Sequence, residues 1–161
     1  MSARSRSWRS ALPRAAREAE VVWAGSSAKG RGAVTAASSG TFAGLSFTEP
    51  ARIGDPEGMT SPEELVAAAH ASCFAMSLAA ELTRAKAPPE RLTVRAEVVI
   101  DEVEGGNHRV VSSSLTARAR ARIGKDAFRT AVADADAGCP ISALIRGTAA
   151  VSVDASLEEV V

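Results

Sequence analysis

The sequence constrains its fold most strongly at residues 61–80, where a helix-start pattern is followed by an apolar run. Ser61 supplies an N-cap hydroxyl, Pro62 occupies the first helical position, and Glu64 follows three residues after the cap. This is the pattern of a capping box, and its first turn carries two acids where the helix dipole favours negative charge. The pattern predicts a helix that runs to about Arg84, before a Pro-Pro pair.

The predicted helix is apolar on nearly every side from Leu65 to Ala80. Such a helix is typical of a buried central element that is covered on most of its surface. Because the run is shorter than the ~20 residues that a spanning helix needs, we predict no membrane-spanning segment. The core must consist largely of Ala, Val and Leu, since only 4% of the residues are aromatic and none is Tyr.

Short β-rich runs precede this helix, and two long runs with period-two alternation follow it around a Gly-Gly turn. We predict the order βββ-α-ββ-αα-β, an α+β fold with antiparallel sheets around the central helix. The predicted strands cover residues 21–23, 33–35, 45–48, 92–100, 110–123 and 148–153, the later helices cover 126–138 and 139–145, and a loop covers 50–60.

Charge is distributed unevenly, although nineteen basic residues balance nineteen acids over the whole chain. Residues 1–17 hold five Arg, several Ser and no acid, without the apolar core of a secretory signal. They are open to three interpretations: a transit-like segment, a disordered tail, or residues added by an upstream start codon. We favour the last two and exclude the segment from the fold. The remainder has a net charge of about −5, which disfavours nucleic-acid binding.

Two cysteines carry the clearest chemistry. Cys73 lies on the buried helix and could be a small core residue or a reactive thiol. Cys139 follows a helix-ending Gly and precedes Pro140, an N-cap position where the helix dipole stabilises a thiolate. It could also be a cap by default or part of a structural disulfide. Without a secretory signal we expect a reducing, cytoplasmic location, where paired thiols are usually catalytic or redox-sensing.

The histidines do not complete a metal site. His70 shares a helix face with Cys73, but zinc needs three or four ligands, and His108 falls in a hairpin turn. We therefore predict no metal. We expect His70 to be hydrogen-bonded in the core or at a dimer seam, and His108 to be solvated.

Two motifs resemble those of the OsmC/Ohr family, the osmotically inducible and organic hydroperoxide resistance proteins. Segment 61–76 (SPEELVAAAHASCFAM) is similar to the signature helix of the family, and segment 137–142 (AGCPIS) to its second-cysteine motif. The opening AEVVW from residue 19 and the turn KGRG at 29–32 fit as well. His70 and the separation of the cysteines favour the OsmC branch. The resemblance implies a single OsmC-like domain over residues 19–161, after an extension, residues 1–18, that we expect to be disordered.

The resemblance also implies a peroxidase that uses cysteine and no metal, flavin or haem. Cys73 would be the peroxidatic thiolate and Cys139 the resolving thiol, reset by a dithiol of the dihydrolipoyl type. Glu63 matches a family Glu at the helix start, and Arg52, the only Arg or Lys between positions 33 and 83, is the candidate for a family Arg. The apolar surroundings favour an organic hydroperoxide as substrate. The alternative is a non-catalytic redox sensor or thiol-bearing ligand-binding module of the same fold.

The spacing of Glu63 and Cys73 leads to an expectation about assembly. Ten residues on a straight helix correspond to about 15 Å along its axis, further than a carboxylate reaches. The apolar run contains no Gly or Pro to bend the helix, so we expect the Glu to come from a second chain. The sequence thus predicts an intertwined homodimer whose central helices are buried between subunits.

Overall fold

A computed structural model of the chain describes residues 15–158, which belong to two compact units. The first unit ends at Met59 and the second begins at Thr60. The Arg-rich extension predicted for residues 1–18 lies for the most part outside the described residues. The prediction of a single domain over residues 19–161 stays a prediction.

The elements follow the predicted order, with one helix added before the central one. The first unit contains β1 (Glu20–Ala24), β2 (Arg31–Thr35), β3 (Leu45–Phe47) and α1 (Glu49–Ile53). The second unit contains α2 (Pro62–Arg84), β4 (Arg91–Val103), β5 (Asn107–Arg120), α3 (Lys125–Gly138), α4 (Pro140–Arg146) and β6 (Ala150–Glu158).

In the first unit, β1, β2 and β3 form the predicted antiparallel meander. Gly32 pairs with Phe47, and a Cβ atom at position 32 would lie 2.2 Å from the Phe47 ring. The glycine is therefore required by the close approach of an aromatic side chain. β1 is exposed along its whole length, with Val22 63% accessible.

The loop predicted for residues 50–60 is partly wrong, because the helix α1 includes its first residues. Thr48 caps this helix by accepting a hydrogen bond of 3.2 Å from Ala51 N–H, and Pro50 occupies its first turn. Hydroxyl cap and early Pro are the same start signals that mark α2.

The predicted helix over residues 61–84 is confirmed as α2. Ser61 Oγ accepts a hydrogen bond of 3.1 Å from Glu64 N–H, which satisfies one of the free amides of the first turn. The Glu64 carboxylate accepts instead from the Thr60 hydroxyl at 2.8 Å. This start fixes the position of every side chain along α2, including Cys73.

In the second unit, β4 and β5 form the predicted antiparallel hairpin, and β6 extends the sheet on the other side of β5. β6 runs parallel to β5, with Leu115 opposite Val153, whereas the sequence predicted antiparallel sheets. The helices α3 and α4 form the crossover that a parallel connection requires. This crossover carries Cys139.

The core of the second unit lies between the sheet and the helices. Inward positions of β5 and one stripe of α2 share it with α3. The largest fully buried apolar residues are Phe74, Leu78, Leu82 and Leu115. The expectation that α2 is covered on most sides does not hold for the single chain, where Met76 on its outward side is 69% exposed.

Among the described residues, α2 is also the one helix that is long and apolar enough to cross a membrane, by length and composition alone. It has 23 residues and an 18-residue window of mean hydropathy 1.5. The prediction from the length of the apolar run, Leu65 to Ala80, was therefore wrong, because the whole helix is longer than that run. Core helices of soluble proteins have the same character, and Phe74, Leu78 and Leu82 pack into the core described above.

Candidate active site

Cys73 lies in the middle of α2 and is partly buried. It packs against the apolar core cluster of the second unit, one residue before the fully buried Phe74. The apolar periodicity of α2 thus places the thiol at the boundary between the buried stripe and the outward side of the helix.

Cys139 is the N-cap of α4 and is only 1% exposed. Its backbone N–H donates to Asp136 O at the end of α3, and its sulfur accepts a hydrogen bond of 3.4 Å from Ser142 N–H. Pro140 follows at the first helical position. The predicted N-cap cysteine is confirmed, with the thiol in the role that a Ser or Asp side chain usually takes.

The structure brings the two sulfurs together. Both thiols are free, and they lie close enough that each affects the pKa of the other. They come from elements far apart in sequence, since α2 packs against both α3 and α4. Two neighbouring reduced thiols are the starting point for a disulfide, which forms when their Cβ atoms come within about 4.5 Å.

The surroundings shift the two thiols in opposite directions. Burial raises the pKa of Cys73, and the neighbouring Cys139 raises it further, against a single Ile141 N–H that lowers it. Burial also acts to raise the pKa of Cys139, but hydrogen bonds from Ser142, Cys73 and Ile141 lower it below its usual value. Cys139 is therefore the more easily ionised of the two thiols, whereas the predicted roles place the reactive thiolate on Cys73.

His70 is fully buried between two serine hydroxyls. Its Nδ1 lies 2.7 Å from Ser113 Oγ on β5 and its Nε2 lies 2.9 Å from Ser142 Oγ on α4. Burial lowers the pKa of His70, with Asp136 acting to raise it and Arg146 to lower it. The prediction of a core histidine is confirmed.

The sequence reasoning missed both serines. Ser113 occupies an inward position of β5, in phase with the buried Leu115 and Ala117, where a polar residue needs a partner. Ser142 is the third residue after the Cys139 cap, where its N–H reaches back to the cap. Both signals were present in the sequence, but neither identifies His70 as the partner.

Glu63 and Arg52 lie apart from the thiol pair along the chain. Glu63 is buried in the first turn of α2, about 15 Å along the helix axis from Cys73 at 1.5 Å per residue. Arg52 lies in the last turn of α1, in the first unit. α2 continues without interruption from Pro62 to Arg84, so the spacing on which the dimer expectation depends is retained. The roles of both residues stay predictions.

No group of three or more Cys, His, Asp or Glu side chains within residues 15–158 is arranged to hold a metal ion. His108, the second histidine, lies exposed at the start of β5. The chemistry that the described residues offer is therefore that of two neighbouring thiols.

Known proteins match this chain over most of its length. The model of the family described as OsmC-like protein matches residues 54–154, which include both cysteines and begin just after Arg52. The protein named peroxiredoxin OsmC from Escherichia coli strain K12 is 30% identical over 130 residues, which is 81% of this chain and 90% of that protein.

Solved structures share the fold at lower identity. An organic hydroperoxide resistance protein from Elizabethkingia anophelis gives a TM-score of 0.71 at 22% identity, covering 91% of this chain and 100% of that one. The organic hydroperoxide resistance protein OhrB of Bacillus subtilis gives 0.68 at 21% identity, covering 86% and 98%. These likenesses confirm the predicted α+β fold of the family. With the family-model match and the relative from Escherichia coli, they lead to one conclusion: this chain is a member of the OsmC-like protein family.

Proposed function

We propose that the chain is a two-cysteine peroxidase that reduces organic hydroperoxides to alcohols. The observation that carries this proposal is the pair of free, neighbouring thiols, Cys73 and Cys139, with pKa values shifted in opposite directions. The names of the relatives, peroxiredoxin and organic hydroperoxide resistance protein, support a role of this type.

In the first step, the Cys73 thiolate attacks the peroxide O–O bond, which breaks. The sulfur takes the terminal oxygen with its hydrogen and becomes a sulfenic acid, while the other oxygen leaves as an alkoxide that takes a proton from water and becomes the alcohol. Cys139 then attacks the Cys73 sulfur, forming an S–S bond and releasing the oxygen as water. An external dithiol, which we propose to be of the dihydrolipoyl type, reduces the disulfide and becomes a disulfide itself. No metal, flavin or haem is required.

The opposite pKa shifts fit the first step if Cys139 acts as a proton acceptor. Cys139, the neighbouring sulfur, is the more easily ionised of the two and can be present without its proton. It can then accept the Cys73 proton as Cys73 attacks, which draws an otherwise unfavourable transfer forward and leaves the thiolate where the peroxide binds. We assign to Arg52 the stabilisation of that thiolate and of the peroxide oxygens, and to Glu63 the orientation of the guanidinium.

The organic character of the substrate follows from the residues around Cys73. The thiol packs beside a core of Phe, Leu and Ala side chains, which favours an apolar hydroperoxide over hydrogen peroxide. We further propose a cytoplasmic location, where a dithiol can keep both cysteines reduced.

We also propose that the active unit is a homodimer. Glu63 lies too far along α2 to serve Cys73 of the same helix, so an antiparallel α2 from a second chain would supply it. The middle of α2 supports this, because between residues 65 and 82 its exposed positions are all apolar or small: Ala68, Ala69, Ser72, Met76 and Ala80.

Turnover separates this function from a redox sensor or a ligand-binding module. A small amount of reduced protein is mixed with excess cumene hydroperoxide and dihydrolipoamide, and loss of peroxide is followed over time. We expect many equivalents of peroxide to be consumed per chain, with Cys73→Ser as the inactive control. Oxidation of the thiol pair that stops after one equivalent, with the dithiol present, would contradict the peroxidase and favour a sensor.

A further inference from the structure

A buried chain of three hydrogen-bonding side chains lies beside the thiol pair. His70 joins Ser113 of β5 to Ser142 of α4, and all three residues are completely shielded from solvent. Burying polar groups is unfavourable unless each has a partner, and here every ring nitrogen has one. The chain ends at Cys139, because the sulfur of that residue accepts a hydrogen bond of 3.4 Å from Ser142 N–H, and the Ser142 side chain also acts to lower the pKa of the thiol.

The hydrogen-bond partners assign a direction to this chain. A neutral imidazole donates from one nitrogen and accepts at the other. If the Ser142 hydroxyl donates to the Cys139 sulfur, its oxygen is left to accept from His70 Nε2–H. His70 Nδ1 then accepts from the Ser113 hydroxyl. Every group is satisfied in this arrangement, and two donors from Ser142 point at one sulfur.

We infer that His70 and Ser142 are positioning residues that hold Cys139 as the proton acceptor and resolving nucleophile. The inference rests on the proposed peroxidase function and deepens it. His70 acts through the serine, since its ring nitrogens contact the two hydroxyls and the serine contacts the sulfur. Without the imidazole, the Ser142 hydroxyl is free to rotate away from the thiolate.

The pKa shifts agree with this geometry. Burial would raise the pKa of Cys139, and the hydrogen bonds from Ser142 are the first of the interactions that reverse the effect. Burial lowers the pKa of His70, which keeps the ring neutral at physiological pH and able to accept at Nδ1.

Other charged groups near the chain are few. Asp136 at the end of α3 and Arg146 on α4 act on His70 in opposite directions and are paired with each other at 2.6 Å. From α2, Cys73 faces Cys139 directly and Glu63 lies two turns before His70. The side chains that β4 and β5 turn toward the core are apolar apart from Ser113.

The inferred role concerns the step in which the disulfide forms. The Cys139 thiolate attacks the sulfur of the Cys73 sulfenic acid, the S–S bond forms and the S–O bond breaks. The departing hydroxide takes up the proton that Cys139 gave up and leaves as water. Cys139 is oxidised and the Cys73 sulfur is reduced by the same electron pair.

The first measurement titrates Cys139 alone, in a Cys73→Ser background, by the ultraviolet absorbance of its thiolate. Adding Ser142→Ala removes the hydroxyl but keeps the backbone N–H, and the titration should move to higher pH. The matched control is Ser114→Ala, the next residue along β5 from Ser113, which removes a hydrogen bond of 3.1 Å to Ser152. The control should titrate like the background protein.

The second measurement is the rate of disulfide formation after one equivalent of cumene hydroperoxide, in chains that keep both cysteines. Ser142→Ala should slow this step about tenfold at neutral pH, because a thiol pKa raised by about one unit leaves about a tenth of the thiolate. The rate should recover as the pH rises. His70→Leu should act likewise, whereas His70→Gln, whose amide can still donate to Ser142, should be slowed less.

Two outcomes overturn the inference, and a third concerns the proposed function instead. If the Cys139 pKa is unchanged in Ser142→Ala, the Ser142 hydroxyl does not act on the thiol. If His70→Leu and His70→Gln slow disulfide formation equally in folded proteins, His70 contributes only packing. If the unaltered chain forms no disulfide with peroxide, the peroxidase proposal fails, while the titration of Cys139 still tests the hydrogen bonds.

Discussion

The two thiols occupy regions of the second unit that differ in one physical respect. Both are withdrawn from water, and burial acts to raise the pKa of each. Cys139 at the α3–α4 junction receives N–H and O–H donors from Ser142 and a donor from Ile141, whereas Cys73 on α2 receives the Ile141 N–H alone. The number of donors, and not burial alone, therefore accounts for the opposite directions of the two pKa shifts.

The groups that distinguish the two cysteines all lie in one short segment. The donors Ile141 and Ser142 both lie in the first turn of α4, a helix of seven residues. A helix start leaves its first amides without intrahelical partners, and here a sulfur takes the place of the usual oxygen cap. The same turn therefore lowers the pKa of Cys139 strongly enough to outweigh burial and acts in the same direction, more weakly, on Cys73.

The largest expected effect comes from exchanging the two cysteines for serine in turn. Cys73→Ser should abolish peroxide reduction, because the remaining thiol, Cys139, is only 1% exposed and the peroxide cannot reach it. Cys139→Ser should allow one turnover and then let Cys73 proceed to sulfinic acid, seen by mass spectrometry as a gain of two oxygens.

The two cysteines have different roles only if the two variants behave differently. Sustained turnover by Cys139→Ser with a dithiol present would remove the resolving role from Cys139. Peroxide reduction by Cys73→Ser would show that Cys139 is itself the peroxidatic thiol, as its lower pKa alone would suggest.

A second prediction tests whether each Cys73 depends on a neighbouring chain. Cys73→Ser and Glu63→Ala proteins should each be weak, but mixing and refolding them together should restore activity to about a quarter of the unaltered level. Only the mixed dimers gain an intact site, and each gains one of two. Glu64→Ala, at the exposed neighbouring position, is the matched control and should not need a partner.

The complementation has a clear opposite outcome. A fully active monomer in size-exclusion chromatography with light scattering would contradict the dimer. No gain of activity on mixing, in proteins shown to exchange subunits, would place Glu63 outside the site.

A third prediction concerns Arg52, which the proposal assigns to Cys73 and not to Cys139. Arg52→Ala should raise the pKa of Cys73 and slow the first step about tenfold or more, since a nearby cation favours a thiolate. Arg52→Lys restores the charge but not the planar pair of donors, so it should recover only part of the rate. Stopped-flow reaction with peroxide measures this step, and equal rates in all three proteins would dismiss the role.

The smallest expected effect is on stability near His70. Burial lowers the pKa of this histidine below its ordinary value of 6.5, so the unfolded chain binds a proton more readily. Stability should therefore fall as pH decreases below about 6.5 and level off beneath the folded-state pKa. His70→Gln should flatten this dependence in urea unfolding followed by circular dichroism, and His108→Gln, at an exposed position, should not.

Local patterns predicted those elements that local interactions determine. The Ser61 cap and the apolar period defined α2, and alternation defined the β4–β5 hairpin. The parallel direction of β6 depends on pairing with β5, so no pattern within residues 150–158 could reveal it. The α1 helix was missed although Thr48 and Pro50 signalled it, because the Gly- and Pro-rich residues that follow indicated a loop.

In the candidate site, too, local sequence predicted some features, and others depend on contacts between distant elements. Cys73 and Cys139 were identified from motifs, and the N-cap position of Cys139 followed from Gly138 and Pro140. The order of the two pKa values was not predictable, because it depends on the contact between α2 and α4 and on the donors of Ser142. The His70 chain likewise joins three elements that only the folded unit brings together.

The crossover that carries Cys139 has a consequence for the entropy of the unfolded chain. Cys73 and Cys139 lie about 66 positions apart, so a disulfide between them would close a long loop around β4, β5 and α3. In the chain-entropy model such a loop stabilises the folded state by about 4 kcal/mol relative to the reduced chain. Each catalytic cycle would then alternately tighten and release the whole second unit. Under the proposed mechanism, the chain would be most resistant to unfolding just after it had consumed a peroxide.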